Sequence, residues 1–313
     1  MKYDVRFNVL DLRGNLELGK GSGVTRDILC VFWEDFFTSC AIGYDEMVPS
    51  VRHDMTKKHW EAVGRILLFG FRAGHFPMRL SMAFLISALF GEDSLTDAVM
   101  INSFKRYITL DERESIENFE KGESNDESLK EELIGTLDSY KTFSNPTKEN
   151  LSSLLKELAH QELIQKPRYM ANCFQNVLRL KKVSNEHPFH SLELLEKLFH
   201  ERQPTNRKVV KCLKPCTELT EAQSTCFNHL TRFIKSLSKE KLLKFLRFVT
   251  GSDIMPENSI EINFDQSNNG MPFARTCVPM LSLSASYECY NMLAEELTKI
   301  ILDRESYYFL VIF

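Results

Sequence analysis

No run of apolar residues in this chain approaches the roughly 20 that a membrane-spanning helix needs. The longest candidates, RILLFGF and the terminal YYFLVIF, are far shorter. Nor is there a large charge of either sign. The 39 Lys and Arg stand against 43 Asp and Glu, a net charge of −4 over 313 residues, which gives no global field for nucleic acid or an anionic membrane. The start of the chain shows no basic n-region and apolar h-region of a secretory leader. The eight cysteines are scattered instead of being spaced as a disulfide framework. These absences lead us to expect a soluble protein of the cytoplasm or nucleus, with reduced thiols and with neither nucleic acid nor membrane as a partner. What remains is an ordinary globular composition, 43% hydrophobic and 26% charged, rich in phenylalanine and long enough for two domains.

The first residues, YDVRFNVLDL, alternate apolar and polar side chains as a strand does. From Val24 to about Cys40, Ile28, Val31, Phe32, Phe36 and Phe37 recur at helical spacing, with Thr25 as the expected cap. KHWEAVGRILLFGFRAG predicts a second helix stopped by Gly74, and RLSMAFLISALFGE a third, nearly all apolar and therefore central to a core. Residues 111–132 carry ten acidic side chains against three basic ones with few apolar anchors, which predicts a solvated linker or surface loop. A helix with Leu151, Leu154, Leu155 and Leu158 inward is expected to start at Pro146 with Thr147 as its cap. RYMANCFQNVLRL and SLELLEKLFHE read as further helices. The stretch around Pro215 is less regular and is read as an interdomain connection. Two amphipathic helices follow between residues 223 and 250, the second capped by Ser238 and stopped by Gly251. SIEINF then reads as a strand with Ile260, Ile262 and Phe264 on one face, and a last helix runs from about Tyr287. YYFLVIF is a final strand or an apolar end.

Chemistry enters with the cysteines. A cysteine in a long intracellular chain is usually a small buried hydrophobe. Cys277, at the end of PFARTC, stands in a more distinctive string. It is preceded by Phe248, Val249, Thr250, Gly251 and Ser252, then by Pro272, Ala274 and Thr276, and followed by Leu281, Leu283, Tyr287, Leu293 and Leu297. This order resembles the C-terminal lobe of HECT-type ubiquitin ligases. KGSGVTRD resembles the element with which that family enters its first helix, keeping Gly23, Val24, Arg26 and an acidic Asp27, with Lys20 in place of an aspartate and Ser22 in place of a glycine. Gly64 with Arg65, and Thr147 with Glu149 and Asn150, match two further family elements, so the resemblance covers nearly the whole chain.

The resemblance implies an α+β fold of two lobes: a mostly helical N-lobe over residues 1–214, a hinge at 215–222, and a small α+β C-lobe over 223–313. It implies that Cys277 accepts ubiquitin from a conjugating enzyme as a thioester and passes it to a substrate lysine. A thiol exchanges acyl groups with another thioester at nearly equal energy, and the product remains reactive toward an amine. Arg275 would supply positive charge and Thr276 would orient the loop through its hydroxyl. A phenylalanine near the end of the chain, Phe309, corresponds to the family's tail residue, although Phe313 or simple packing would explain the apolar ending as well. A shortened docking region for the conjugating enzyme falls at about 174–214. There Phe189, Leu192, Leu195 and Phe199 offer an apolar groove, or fill a core. No cofactor and no metal is implied.

Other readings stand beside this one. The alternative to a nucleophile is that Cys277 is a structural cysteine or the relic of an inactive domain, and the chain would then be a HECT-derived protein that binds ubiquitin or its conjugating enzyme without turnover. The family's proline-rich approach to the tyrosine is SASY here. Cys289 is expected in the core. Cys212, Cys216, Cys226 and His229 combine zinc-ligating residue types, but the proposed hinge separates the two pairs. His187, His190 and His200 precede Cys277 without the local signature of a cysteine protease. The two helices at 223–250 carry six Lys or Arg against one acid, read as a solvated face or as a polar contact to the other lobe or to ubiquitin.

Overall fold

The computed structural model describes residues 21–122, 127–142, 144–179, 189–265 and 271–302. The strand expected near the start, Lys20, His187 and the YYFLVIF segment with Phe309 and Phe313 lie outside the described residues. Within them the chain is α+β and mostly helical, with a two-stranded and a four-stranded sheet. No helix among the described residues is long and apolar enough to cross a membrane.

Helix α1 (Ser22–Ser39) begins three residues before Thr25, which therefore lies inside the helix and does not cap it. Strands β1 (Ala41–Gly43) and β2 (Met47–Pro49) form an antiparallel hairpin with Ile42 opposite Val48. Helix α2 (Lys57–Arg72) stops as expected before Gly74, whose φ of 81° is cheap only for glycine. Helix α3 (Met82–Phe90) buries Ala83, Phe84, Leu85, Ile86, Ala88 and Leu89, so the all-apolar segment is indeed a core helix. Helix α4 (Asp97–Tyr107) is capped by the Thr96 side chain.

Residues 111–132 correct the sequence reading. They are neither linker nor loop at either end: α5 (Leu110–Lys121) and α6 (Glu127–Asp138) occupy most of the stretch and pack on each other. Thr109 and Glu112 close a capping box, which satisfies two orphan amide donors at once. Few anchors suffice, because Ile116, Phe119, Leu133 and Leu137 are all buried. Helix α7 (Leu151–His160) starts five residues after Pro146, later than expected. Thr147 and Asn150 exchange side-chain-to-backbone hydrogen bonds in a turn ahead of it. It runs through a π-helical turn, Gln161–Gln165, toward α8 (Arg168–Arg179), and α9 (Leu192–Arg202) follows.

The irregular stretch resolves into α10 (Asn206–Cys212) and β3 (Leu213–Pro215). Helix α11 (Glu221–Ser236) has its own capping box, Thr220 with Gln223. Helix α12 (Lys239–Thr250) is capped by Ser238 and ends at Gly251 in the left-handed conformation, both as expected. Strands β4 (Ile260–Phe264), β5 (Phe273–Arg275) and β6 (Met280–Leu283) precede α13 (Tyr290–Leu302), which begins three residues after Tyr287.

Contacts divide the chain into two compact units that interleave along the sequence. One gathers Met1–Trp33, Phe69–Phe76 and Phe199–Phe313, the other Glu34–Leu68 and Pro77–Leu198. In the second, α3 packs on α8 with Phe84 edge-on to Phe174, and Gly64 allows α2 to approach the Phe174 backbone closely.

The first unit carries the four-stranded sheet in the order β3-β4-β6-β5, with β3, β4 and β6 parallel and β5 antiparallel at the edge. Leu281 and Leu283 on the inner strand are fully buried, as are Phe245, Leu246 and Val249 of α12 and Leu293 and Leu297 of α13, in one core. Phe245→Ala removes a large fully buried side chain from that core and is expected to cost about 3–5 kcal/mol of stability. Met292→Ala on the exposed face of α13 is expected to stay within about 0.5 kcal/mol. Denaturant titration of both variants checks the contrast, and equal midpoints would contradict this core.

Candidate active site

Arg275 on β5 pairs with Met280 on β6, which leaves residues 276–279 as a four-residue hairpin turn. Cys277 lies in that turn, free and exposed. Beyond β6, where the SASY segment lacks prolines, the Ser284 hydroxyl accepts from the Ser286 amide at 3.2 Å, a local turn of the kind serine side chains stabilise.

The start of α1 lies against this turn. A Cβ built on Gly21 would come within 2.5 Å of Cys277 Sγ, and one on Gly23 within 2.1 Å of Thr276 Oγ1 and 2.9 Å of the Thr276 carbonyl carbon. Gly21 also has a φ of +146°. Only glycine fits at either place. The close approach lets Arg26, one helical turn on, reach the same turn from below. Its Nη2 donates to the Thr276 carbonyl oxygen at 2.5 Å, and its Nε donates to the Thr250 carbonyl oxygen at 3.0 Å. Burial pushes the Arg26 guanidinium down from its ordinary value, and the negative form of Cys277 pulls it up. Arg26 is therefore a cation within electrostatic reach of the Cys277 sulfur. Beside it, Arg247 Nε donates to Asp27 Oδ1 at 2.6 Å in a largely buried ion pair, one that is costly to break by removing a single partner.

The expected site residues distribute as follows. Thr276 offers its backbone carbonyl to Arg26, and its hydroxyl sits in the narrow space above Gly23. Arg275 is exposed at the end of β5. Phe189, Leu195 and Phe199 are buried and Leu192 is half-buried; Phe199 meets Phe76 edge-on. Cys289 is exposed, which overturns its placement in the core: it falls in the turn before α13, outside the run of inward positions. Cys212, Cys216, Cys226 and His229 form no converging ligand group. Of the six basic side chains at 223–250, Arg247 is taken up by Asp27 and Arg232 lies 4.1 Å from the Tyr290 ring centre, so the face is only partly a solvated one. The role of Arg26 went unread in the sequence. Its signal was two glycines one residue apart, three residues before an arginine, at a helix start.

Arg26 anchors the turn that carries Cys277 through the backbone of the preceding residue. Arg26→Gln is therefore expected to speed amide hydrogen exchange in the peptide that carries the Cys277 turn by about tenfold, the factor carried by one charge-assisted hydrogen bond of ~1.5 kcal/mol. Peptide-resolved mass spectrometry reads the rate, and an unchanged rate would remove Arg26 from the site.

Comparison with known proteins bears on the family of the chain. The sequence model of the HECT-domain (ubiquitin-transferase) family matches residues 30–310. A search of curated proteins found no match. Ubiquitin and ubiquitin-conjugating enzymes are the general partners of that family. The match spans nearly the whole chain and contains the hairpin turn of Cys277, and the chain belongs to the HECT-domain family of ubiquitin transferases.

Proposed function

We propose that this protein is a ubiquitin-protein ligase that carries ubiquitin as a thioester on Cys277. The Cys277 thiolate attacks the thioester carbonyl of the loaded conjugating enzyme, and the enzyme's own thiol leaves with the electron pair and takes up a proton. A substrate lysine amine then attacks the new thioester, forming an isopeptide bond, and the Cys277 thiol is restored. No redox change and no cofactor is needed. The observation that carries the reading is the environment of the sulfur: exposed at a hairpin tip, backed by Arg26, and held by a contact to the backbone of the preceding residue. Cys30, by contrast, is buried, and its thiol is pushed well up by that burial, a setting closed to a protein substrate.

In this reading Thr276 and Arg26 set the turn, and Arg275 adds exposed positive charge beside it. The lobes run over 1–214 and 223–313 with the hinge at 215–222. The conjugating enzyme docks at about 174–214, meeting Leu192 at the surface, with Phe189, Leu195 and Phe199 supporting that face from beneath. Phe309 serves transfer to lysine and not loading. The setting is the cytoplasm or nucleus, where conjugating enzymes and reduced thiols coexist. A second reading, noncovalent binding without turnover, is favoured by Ser22 in the glycine element that lies against the turn.

A single-turnover assay with ubiquitin-loaded conjugating enzymes separates the two. Wild type and Cys289→Ser are expected to form a reductant-sensitive adduct, and Cys277→Ser a reductant-resistant oxyester or none. Phe309→Ala is expected to load normally and transfer slowly. Absence of any adduct from folded wild-type protein would leave only the binding reading, and an adduct unaffected by Cys277→Ser would place the acceptor on another residue.

A further inference from the structure

Cys30, His75 and Asp253 come from three separate segments: α1, the turn after α2, and the loop after α12. Cys30 Sγ lies 3.6 Å from His75 Nδ1 and 3.7 Å from Asp253 Oδ1. His75 Nδ1 lies 3.7 Å from the same carboxylate oxygen. The three donor atoms thus mark a nearly equilateral triangle whose centre is about 2.1 Å from each corner. That distance falls inside the range, about 2.0–2.3 Å, of zinc bonds to imidazole nitrogen, carboxylate oxygen and thiolate sulfur. No other group of three Cys, His, Asp or Glu side chains converges in this way among the described residues.

A hydrogen-bonded Cys–His–Asp relay explains the cluster less well. A relay uses both imidazole nitrogens, one toward each partner. Here sulfur and carboxylate both face Nδ1, and Nε2 is buried without a partner among the described residues. The Cys30 thiol, 2% exposed, has one proton for two oxygens at 3.7 Å, Asp253 Oδ1 and the Gly251 carbonyl, so a thiol hydrogen bond accounts for only one of them. The Asp253 side chain remains 38% exposed, so an ion has a way in and the fourth position can take water. Ser252 Oγ, 2.9 Å from Nδ1, holds the imidazole in the ion-free state and moves aside, or to that fourth corner, when the ion enters. Burial pushes the Cys30 thiol up and the His75 imidazole down, so the ion-free site carries a neutral thiol and a neutral ring.

We propose that Cys30, His75 and Asp253 form a zinc site that ties the first turns of α1 and the turn after α2 to the loop following α12. Binding releases the Cys30 thiol proton to solvent, and the ion keeps its +2 charge throughout. Calcium and magnesium are excluded because they take oxygen ligands, whereas one sulfur, one nitrogen and one oxygen suit zinc. The cations near His75 are Arg247, which is paired with Asp27, and Arg26. The thiolate and the Asp253 carboxylate neutralise the ion itself. The consequence for the protein is local: the ion would fix α1 one turn beyond Arg26 and so hold Arg26 under the Cys277 turn.

Titration of the full chain with Co2+, followed by competition with Zn2+, tests the proposal. One equivalent is expected to bind with a sulfur-to-cobalt charge-transfer band and to be displaced by Zn2+. The band is expected to vanish in Cys30→Ser and to persist in Cys277→Ser. Asp253→Asn, at a partly exposed position that tolerates change if Cys30→Ser fails to fold, is expected to weaken binding about tenfold or more. A band that survives Cys30→Ser, a band lost in Cys277→Ser, an affinity unchanged in Asp253→Asn, or no stoichiometric binding by folded wild type would each overturn it.

Discussion

The end of α12 is the point on which the first unit turns. The last turn of a helix leaves carbonyl oxygens that need donors from outside its own ladder, and here they are supplied by residues that also build the candidate site. Gly251, in the left-handed conformation, returns its amide to the Arg247 carbonyl, and the Thr250 hydroxyl donates to the Leu246 carbonyl. Arg26 takes the Thr250 carbonyl, and the Cys30 thiol, at 3.7 Å, faces that of Gly251. A Cβ on Gly251 would come within 2.6 Å of the Gly23 carbonyl oxygen, so the same glycine that ends the helix also lets the start of α1 approach. A guanidinium at a helix C-terminus is favoured by the helix dipole as well. One capping requirement thus brings Arg26 to the place from which it reaches the Thr276 carbonyl and the Cys277 turn.

Eight cysteines in one chain acquire different chemistry from their surroundings alone. Cys226 sits in the core near the Ser284 carbonyl, and burial pushes its thiol up to about 11. Cys173 is buried between helices and is also pushed up, mainly by burial. Cys30 is buried among polar atoms, a setting that suits a metal better than a substrate. Cys277 alone stands at a hairpin tip against the half-buried Arg26. A neutral buried thiol is a poor nucleophile because its anion would lose its water.

Helices with a clear apolar stripe and a plain stop were legible in the sequence: α2 before Gly74, α3 as an all-apolar core helix, α12 between Ser238 and Gly251. The Cys277 loop was legible because a string of residues matched a family, and the family match to residues 30–310 supports that recognition. The failures have physical causes. Acidic composition hid α5 and α6, where capping and four buried apolar side chains outweigh a polar surface. Pro146 and Thr147 looked like a helix start because they make a capping-type turn, but the turn precedes α7. Cys289 was placed in the core from its distance to Tyr287, although the helix begins only at Tyr290. Arg26 was quoted without a role because nothing in a linear sequence brings residue 26 to residue 276. That proximity depends on two glycines fitting under a turn 250 positions away.

Arg26 grips the turn by its backbone. It binds the carbonyls of Thr250 and Thr276 and no side chain of either, so its hold does not depend on the residue types at those positions. The hold is also substantial. Hydrogen bonds to a charged group contribute roughly 1.5–3 kcal/mol each, and releasing α1 would break the Asp27–Arg247 pair as well. At a cost of about 3–6 kcal/mol for the two bonds, the released state would make up less than about 1% of molecules. In the proposed transfer cycle, any swing of the lobe that carries Cys277 away from α1 must therefore be driven by what binds. A loaded conjugating enzyme has to recover that energy in contacts made only with the released form. The contact that positions the turn of Cys277 is, on this account, also what keeps the lobe from moving unprompted.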